Sequence, residues 1–496
     1  MKTKKKRLKD NIKKLSSKQN HIYQQVREIL CEDGCFYRTA VDDFYYHSKK
    51  ENKLIFFPSE LFDLFLSSEF QFDRTHRFFN GTIKYLETYC YKHGENITFN
   101  KVSFFDTKNM RLYINKFDGH MLCLDGEKIK QYPNGYNGVF FNDPHFYEPY
   151  EVSDNPNYLK QNPLYHRRNF ESKNGNALEP KDQLFILKHW IYITFFRELF
   201  PTKSILVAYG PPNSRKTALF RSIMLSLFGR AGDVVNPPNT TRDLIVVANQ
   251  AHLLFIDDFS VANRGLEKTL VRMATGIKIR ERKMRSNRSV VTLLPDAFIG
   301  ITTKDPNLKR EDFLQRSLLL RLEPRTDNRT PGEIKKQILD KRNLIWDSLI
   351  RKLNVIVRRF KKRQGKNYGP FNFRNADFAD FLIRSNSKNK HAYIRELLTK
   401  IQRDQIVFLE ESNPLMLLLR IWLGDKHNHS KWLESGEIRN ELRVIAGKND
   451  IGFKPYEVNQ YFGKELKNVA SILSPEYVVR ATRTRCRNRY RFDPIK

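Results

Sequence analysis

The sequence predicts a multidomain α/β protein, with a parallel sheet flanked by helices standing between an α+β N-terminal region and a C-terminal helix-and-ribbon module. Three observations predict this. Apolar runs at 205–209, at 252–258 and in DAFIGITTKDP have the length of buried strands, and helical stretches lie between them. The segment MRLYINKFDGHMLCLDGEKIKQYPNG alternates apolar and polar residues and is cut by Asp118-Gly119 and Asp125-Gly126, both hairpin signals. From Trp432 onward the chain reads as two helices and then an alternating, arginine-dense ribbon.

Composition bounds the function. A chain of 496 residues with 37 Phe and 22 Tyr has material for several cores. Its formal charge of +33 repels itself unless a polyanion neutralises it, so nucleic acid is the expected partner. The alternative is a solvated basic surface. The five cysteines show no zinc-ligand spacing and fit thiols in a reducing compartment. That compartment is the cytoplasm in a bacterial or phage context, or the nucleus if the host is eukaryotic. No apolar run reaches membrane-spanning length, so no membrane partner is expected. The basic arm 1–18 lacks the apolar core of a secretion signal. It fits an arm on nucleic acid, a nuclear address or a frayed helix.

In chain order, 19–161 is expected to form the α+β domain, opening with a helix in HIYQQVREILCEDG. Its aromatics beside lysines are placed to stack on single-stranded bases, although strand alternation alone explains most of them. No carboxylate constellation marks a primase or nuclease centre there. Residues 162–180 are a polar linker, 181–330 the central α/β core, 331–428 a helical lid and connector, and 429–496 the C-terminal module.

The core carries the chemistry. SILVAYGPPNSRKTALFRSIMLSLFG reads as strand, glycine-led loop and helix, the parts of a phosphate-binding loop. The loop residues Gly210, Pro211, Pro212, Asn213, Ser214, Arg215, Lys216 and Thr217 would surround the phosphates of ATP. Backbone N–H groups face the phosphates, Lys216 reaches them as a point charge, and Thr217 enters the Mg²⁺ shell. Arg215 stands where the pattern carries glycine; it either fits, with its backbone near helical values, or weakens the site. LLFIDDFS follows, where Asp257 would hold Mg²⁺ through water and Asp258 would deprotonate the attacking water. The alternative is a strand end marked by paired aspartates. In IKIRERKMRSNRS a basic hairpin offers Arg282, Lys283, Arg285 and Arg288 to a phosphate backbone, or is simply solvated. Thr302-Thr303 ends the next strand, placed to sense the γ-phosphate, and Lys304 beside Thr303 is a further nucleotide contact. Arg316 is placed either to project into a neighbouring subunit's nucleotide or to form a surface ion pair. At the end of the chain, helix, helix and basic ribbon predict a winged-helix domain with Lys464, Lys467, Arg483, Arg485, Arg487 and Arg489 as phosphate contacts; a protein-contacting winged helix is the alternative.

The order of these pieces resembles the superfamily 3 helicases of viruses and mobile elements, a branch of the AAA+ ATPases that includes the poxvirus-type primase-helicases. GPPNSRKT resembles their Walker A motif, LLFIDDFS Walker B, IKIRERKMRSNRS the DNA-gripping hairpin, FIGITTKD motif C, and Arg316 of DFLQRSLLLRL the arginine finger. RDLIVVAN, IDDFS, VRMATG and LQRS are also similar to phage and mobile-element ATP-binding proteins. Lys304 departs from the family's asparagine sensor. The resemblance covers about a third of the chain. It implies a hexameric ring with ATP and Mg²⁺ between subunits and DNA as the track. The expected function is an ATP-dependent DNA helicase or replication-initiator ATPase of a virus, phage or mobile element. The alternatives are a non-unwinding AAA+ DNA-dependent switch and a DNA-binding scaffold with a degenerate nucleotide site.

Overall fold

The computed structural model describes residues 21–39, 43–71, 74–75, 78–142, 147–153, 170, 178–260, 264–277, 279–282, 290–293, 295–304, 310–324, 329–449, 451–473, 477–484 and 487–495. The basic arm 1–18 and most of 162–180 lie outside them. Helix α1 (21–33) leads into an antiparallel meander of β1 (Gly34–Arg38), β2 (Phe44–Ser48) and β3 (Lys53–Phe57). Helices α2 (Glu60–Phe70) and α3 (Phe79–His93) pack on it. Alternation along the strands sends Phe36, Tyr46, Ile55 and Phe57 into one core with Leu30, Phe62, Leu66 and Leu86. Rings fill that core; Phe57 stacks on Phe62 with centroids 4.6 Å apart. Strands β4 (Glu95–Asn96) and β5 (Phe99–Asn100) follow.

The alternating segment forms a second antiparallel sheet of β6 (Ser103–Asp106), β7 (Arg111–Asn115), β8 (His120–Leu124) and β9 (Ile129–Pro133). Both Asp-Gly pairs turn as expected, with Gly119 at φ 81° and Gly126 at φ 91°. β10 (Phe140–Phe141) then returns to pair with β5. This second sheet does not share the first core. Leu112, Ile114, Leu122 and Leu124 belong to one apolar cluster with Trp190, Phe228, Trp346 and Leu353. Tyr150 stacks face to face on Trp346 at 3.9 Å. The apolar cores therefore divide near β5, ahead of the boundary expected at 161.

The centre begins with α4 (Pro180–Ile193), started by a reciprocal Glu179/Asp182 capping box and Pro180 in its first turn. Then come β11 (Ile205–Tyr209), α5 (Lys216–Phe228), α6 (Thr241–Gln250), β12 (Leu253–Ile256), α7 (Arg264–Ala274), the hairpin β13 (Ile279–Arg282) and β14 (Val290–Leu293), β15 (Phe298–Thr303), α8 (Glu311–Leu314) and β16 (Ser317–Arg321). β12, β15, β11 and β16 form a parallel sheet in that order. Val235 extends its edge by bridging Ile256. Successive side chains go to opposite faces. Leu206, Ala208, Phe255 and Leu320 enter the cluster with α4 and α5, whereas Ile205, Val207, Ile256 and Leu319 enter another with α6 and α7. Because all four strands are parallel, Tyr209, Ile256, Thr303 and Arg321 end on the same edge.

Helices α9 (Pro331–Asp340), α10 (Arg342–Lys362), α11 (Ala376–Ser385), α12 (His391–Ser412) and α13 (Pro414–Leu423) cover the sheet and lead away from it. Arg342, 5% exposed, donates to the carbonyls of Glu148 and Pro149 at 2.6 Å each and of Leu227 at 3.0 Å. The last unit contains β17 (Leu433–Glu434), α14 (Ser435–Lys448), α15 (Asn459–Ile472), β18 (Tyr477–Thr484) and β19 (Arg487–Pro494), with strand order β17–β19–β18. Its core takes in Leu415, Leu419 and Trp422 of α13, so it starts earlier than the expected 429. α14 is started by a reciprocal capping box of Glu434 and Glu437. Among the described residues, no helix is long and apolar enough to cross a membrane.

Two buried histidines set an acid limit. His189 has Nδ1 2.8 Å from the Phe185 carbonyl and Nε2 2.9 Å from the Asn386 amide, which suits a neutral ring donating through Nδ1. Burial first of all pushes both His189 and His252 down to about 3. In the unfolded chain both titrate near 6.5. Their contribution is complete above pH ~6.5 and is lost as pH falls toward ~3, at up to ~1.4 kcal/mol per pH unit for each ring. Thermal melts between about pH 7.5 and 5 should fall monotonically on acidification, and a flat profile would contradict this.

Candidate active site

The loop after β11 is shaped by one glycine. A Cβ on Gly210 would lie 2.1 Å from the Leu322 carbonyl oxygen, at φ 153°. Only glycine fits there without moving β16. Asn213 follows at φ 64°. Arg215, the residue preceding α5, sits at φ 58° and ψ 34°. The near-helical backbone expected for it is thus absent; the residue is left-handed, a conformation that costs a side-chain-bearing residue ~1 kcal/mol. Its Nη2 donates to the Arg329 carbonyl at 2.9 Å, which ties the loop to the segment entering α9.

Lys216, 9% exposed, turns back into the loop. Its Nζ donates to the carbonyls of Gly210 at 2.6 Å and Pro211 at 2.9 Å, and to the Ser214 hydroxyl at 3.1 Å. Three acceptors match the three hydrogens of the ammonium. The next residue reaches across the sheet. Thr217 Oγ1 lies 2.8 Å and 3.0 Å from the two carboxylate oxygens of Asp257. The phosphate-loop residues and the acids therefore meet at one edge.

A second hydroxyl completes the arrangement. Thr302 Oγ1 is 2.5 Å from Asp257 Oδ1 and accepts the Asp258 N–H at 2.8 Å. The Thr302 carbonyl accepts from the Phe259 N–H at 2.8 Å, and Asp257 N–H donates to Val235 at 2.8 Å. Asp258 turns through φ 50° and faces solvent. Its carboxylate is 3.3 Å from Lys304 Nζ; the two side chains are 59% and 61% exposed, so the pair adds little stability. Thr303 is buried and in register with Tyr209. Sequence reading placed Thr302 and Thr303 together at the nucleotide and gave Thr302 no role toward the acids. Register held the missing signal, since Ile256 pairs with Ile301 and Asp257 then comes level with Thr302.

Arg316 lies at the other edge. It precedes Ser317, which pairs with Ile205 at the start of β11, so the length of a five-residue strand, about 16 Å, separates it from its own loop. It does not project from this chain: it is 7% exposed, its Nη1 donates to the Asp312 carbonyl at 2.6 Å, and its Nε has no hydrogen-bond partner among the described residues. Burial, and then Arg374, lowers its pKa.

Of the hairpin residues, Arg282 occupies the last paired position, opposite Val290, whereas Lys283, Arg285 and Arg288 lie outside the described residues. In the C-terminal unit, Lys464 and Lys467 are exposed, opposite the buried Phe462, Leu466 and Val469 of α15. Arg489 is exposed and 3.4 Å from Glu434. Arg483 is exposed opposite Asn488, Arg487 pairs in backbone register with Thr484, and Arg485 lies outside the described residues. Pairing also puts Arg480 opposite Arg491 on the face that carries Arg489. Sequence reading missed these two; Asp493 relieves their repulsion at 3.5 Å and 2.8 Å.

The hydroxyl of Thr217 and the carboxylate of Asp257 are hard oxygen donors that suit Mg²⁺. Among the described residues no group of three His, Cys, Asp or Glu side chains could hold a metal by itself.

No family model matches the chain, and no curated protein matches it. Among solved structures, the A-form apo structure of the NrS-1 C-terminal region aligns at 9% identity over 95% of this chain and 98% of that one, with a TM-score of 0.43. A second structure of that region, spanning its residues 305–718, aligns at 10% identity over 94% and 98% with a TM-score of 0.40. The crystal structure of JCV helicase with a bound thiazolopyridine acetamide aligns at 13% identity over 46% of this chain and 58% of that one, with a TM-score of 0.24. At these scores the likenesses carry no argument here.

The left-handed Arg215 gives a test of opposite sign to a helical residue. Arg215→Gly and Arg215→Ala both lose the guanidinium, so their difference isolates the backbone. The glycine variant should be the more stable by ~1 kcal/mol in denaturant melts, whereas at a helical position alanine would win by a similar amount.

Proposed function

We propose that this chain is an ATP-dependent DNA helicase or replication-initiator ATPase of the superfamily 3, AAA+ kind, with a P-loop core and a C-terminal winged helix. The single observation that carries the reading is the 2.8 Å contact between Thr217 and Asp257, beside the loop closed by Lys216. Cation, hydroxyl and carboxylate of the two motifs converge at the carboxyl edge of a parallel sheet, the place where such folds bind ligands.

In this reading the loop from Gly210 to Thr217 binds the triphosphate of ATP, and Lys216 exchanges loop carbonyls for phosphate oxygens. Bound Mg²⁺ supplies charge neutralisation on the phosphates. The Thr217 hydroxyl gives its hydrogen to Asp257 and keeps its lone pairs for the metal. Asp258 orients the attacking water and takes its proton, for which its bond to Lys304 must loosen. Arg316 serves a neighbouring subunit's nucleotide in a ring, by a rotamer change that frees it from Asp312. The hairpin β13–β14 and the arginine face of β18–β19 contact DNA phosphates. The Lys304–Asp258 pair favours a second reading, a slower DNA-dependent switch that hydrolyses ATP without separating strands.

Steady-state ATP turnover should fall at least ~100-fold in Lys216→Ala and rise on single-stranded DNA in the native chain. Equal turnover of native and variant would leave a DNA-binding scaffold. Strand displacement on a forked duplex separates the helicase from the switch. For the last unit, replacing Lys464, Lys467, Arg483 and Arg489 together by alanine should flatten the slope of log affinity for duplex DNA against log salt by about 3.6. An unchanged slope would remove that surface from the DNA.

A further inference from the structure

Thr302 is 1% exposed at the end of a buried parallel strand, where valine would fill the same space without a hydroxyl to satisfy. Its hydroxyl has one hydrogen, and the geometry accounts for it. The hydrogen goes to Asp257 Oδ1 at 2.5 Å, and a lone pair receives the Asp258 N–H at 2.8 Å. The backbone carbonyl of the same residue holds Phe259 N–H at 2.8 Å. One residue thus grips three consecutive residues of the acid turn. Between the first and second of those, the chain swings into the left-handed region at Asp258, φ 50°, which sends the two carboxylates in different directions. Asp257 faces the Thr217 hydroxyl, and Asp258 faces solvent and Lys304.

We propose that Thr302 is the positioning residue that divides the labour of the acid pair, aiming Asp257 at the metal side and holding Asp258 on the water side. The inference rests on the ATPase reading for the identity of the metal and the water. The bridge itself is independent of that reading: two hydroxyls, one from the first turn of α5 and one from the end of β15, address the same carboxylate, and both reach Asp257 Oδ1. Removing the Thr302 hydroxyl leaves the Asp257 carboxylate, among the described residues, with the hydroxyl of Thr217 as its side-chain partner, the residue whose oxygen the metal would also need. Losing an outer partner of this kind typically costs ~10–100-fold in metal affinity or activity.

The test uses the full chain with Thr302→Val, which removes the hydroxyl at constant shape, and Thr302→Ser, which keeps it. In Thr302→Val, kcat should fall about 10–100-fold and the Mg²⁺ concentration for half-maximal turnover should rise about tenfold. KM for ATP should stay within about threefold, because Lys216 and the loop are untouched, and Thr302→Ser should lie within about threefold of native in every readout. A packing role would instead lower the melting temperature with no shift in Mg²⁺ response. The Mg²⁺ dependence of fluorescent ATP-analogue binding is read in parallel, without turnover. If the native chain binds the analogue in a Mg²⁺-dependent way but does not hydrolyse ATP, the ATPase reading fails, and the shift in Thr302→Val still decides the positioning role. A native Mg²⁺ response in Thr302→Val, or no Mg²⁺ dependence in the native chain, overturns the proposal.

Discussion

The carboxylate of Asp257 is held between two threonine hydroxyls, one from the first turn of α5 and one from the tip of β15. The rest of the centre is arranged to make this contact possible. Parallel pairing brings the ends of β12, β15 and β11 to one edge, and the register brings Asp257 level with Thr302. The absence of a side chain on Gly210 lets the chain leave β11 against Leu322 and turn back toward the acids. Charge follows the same geometry: the Lys216 ammonium is matched by carbonyls and a hydroxyl, and Asp258 by Lys304. The charged side chains at this edge thus find their partners within the chain.

Two apolar layers keep that edge in place. Alternate residues of each strand feed opposite clusters, so the sheet is gripped from both faces. Trp190 and Phe255 serve one side, with ring centroids 5.7 Å apart, and the indole N–H of Trp190 donates to the Ser204 carbonyl at 2.9 Å just before β11. At the carboxyl edge Arg321 lies over the Tyr209 ring and pairs with the buried Asp404 at 2.9 Å. The strand that leads into the loop is thereby fixed at its start and its finish, while Asn213 and Arg215 between loop and helix adopt left-handed backbone.

Much of this was legible in the chain. The apolar runs gave the parallel strands, because a strand covered on both faces has no polar positions to alternate with. The Asp-Gly pairs located the turns at Gly119 and Gly126, and the strand, glycine-led loop and helix read from 204–229 are the β11, loop and α5 of the fold. What escaped depended on partners distant in sequence. Alternation in β7 and β8 announces a sheet with an apolar face, but nothing local says that this face belongs to Trp346 and Phe228 and not to the first meander. The choice between Thr302 and Thr303 turns on interstrand register. The conformation of Arg215 departs from what an arginine prefers, and is held by a contact to Arg329 more than a hundred positions later. Arg316 reads as a projecting residue from its neighbours, yet the fold turns it inward toward Asp312.

The inward guanidinium of Arg342 fastens three pieces of chain at one point: the strap at 148–149, the far end of α5 at Leu227, and its own helix α10. Glu148 N–H adds a bond to the Phe228 carbonyl at 3.2 Å. Helix α5 is therefore a lever about 20 Å long, with Lys216 and Thr217 at one tip and this knot at the other. The β6–β9 sheet, whose apolar face shares a cluster with Phe228 and Trp346, meets the helix at that same far end, so the two tips of α5 answer to different neighbours.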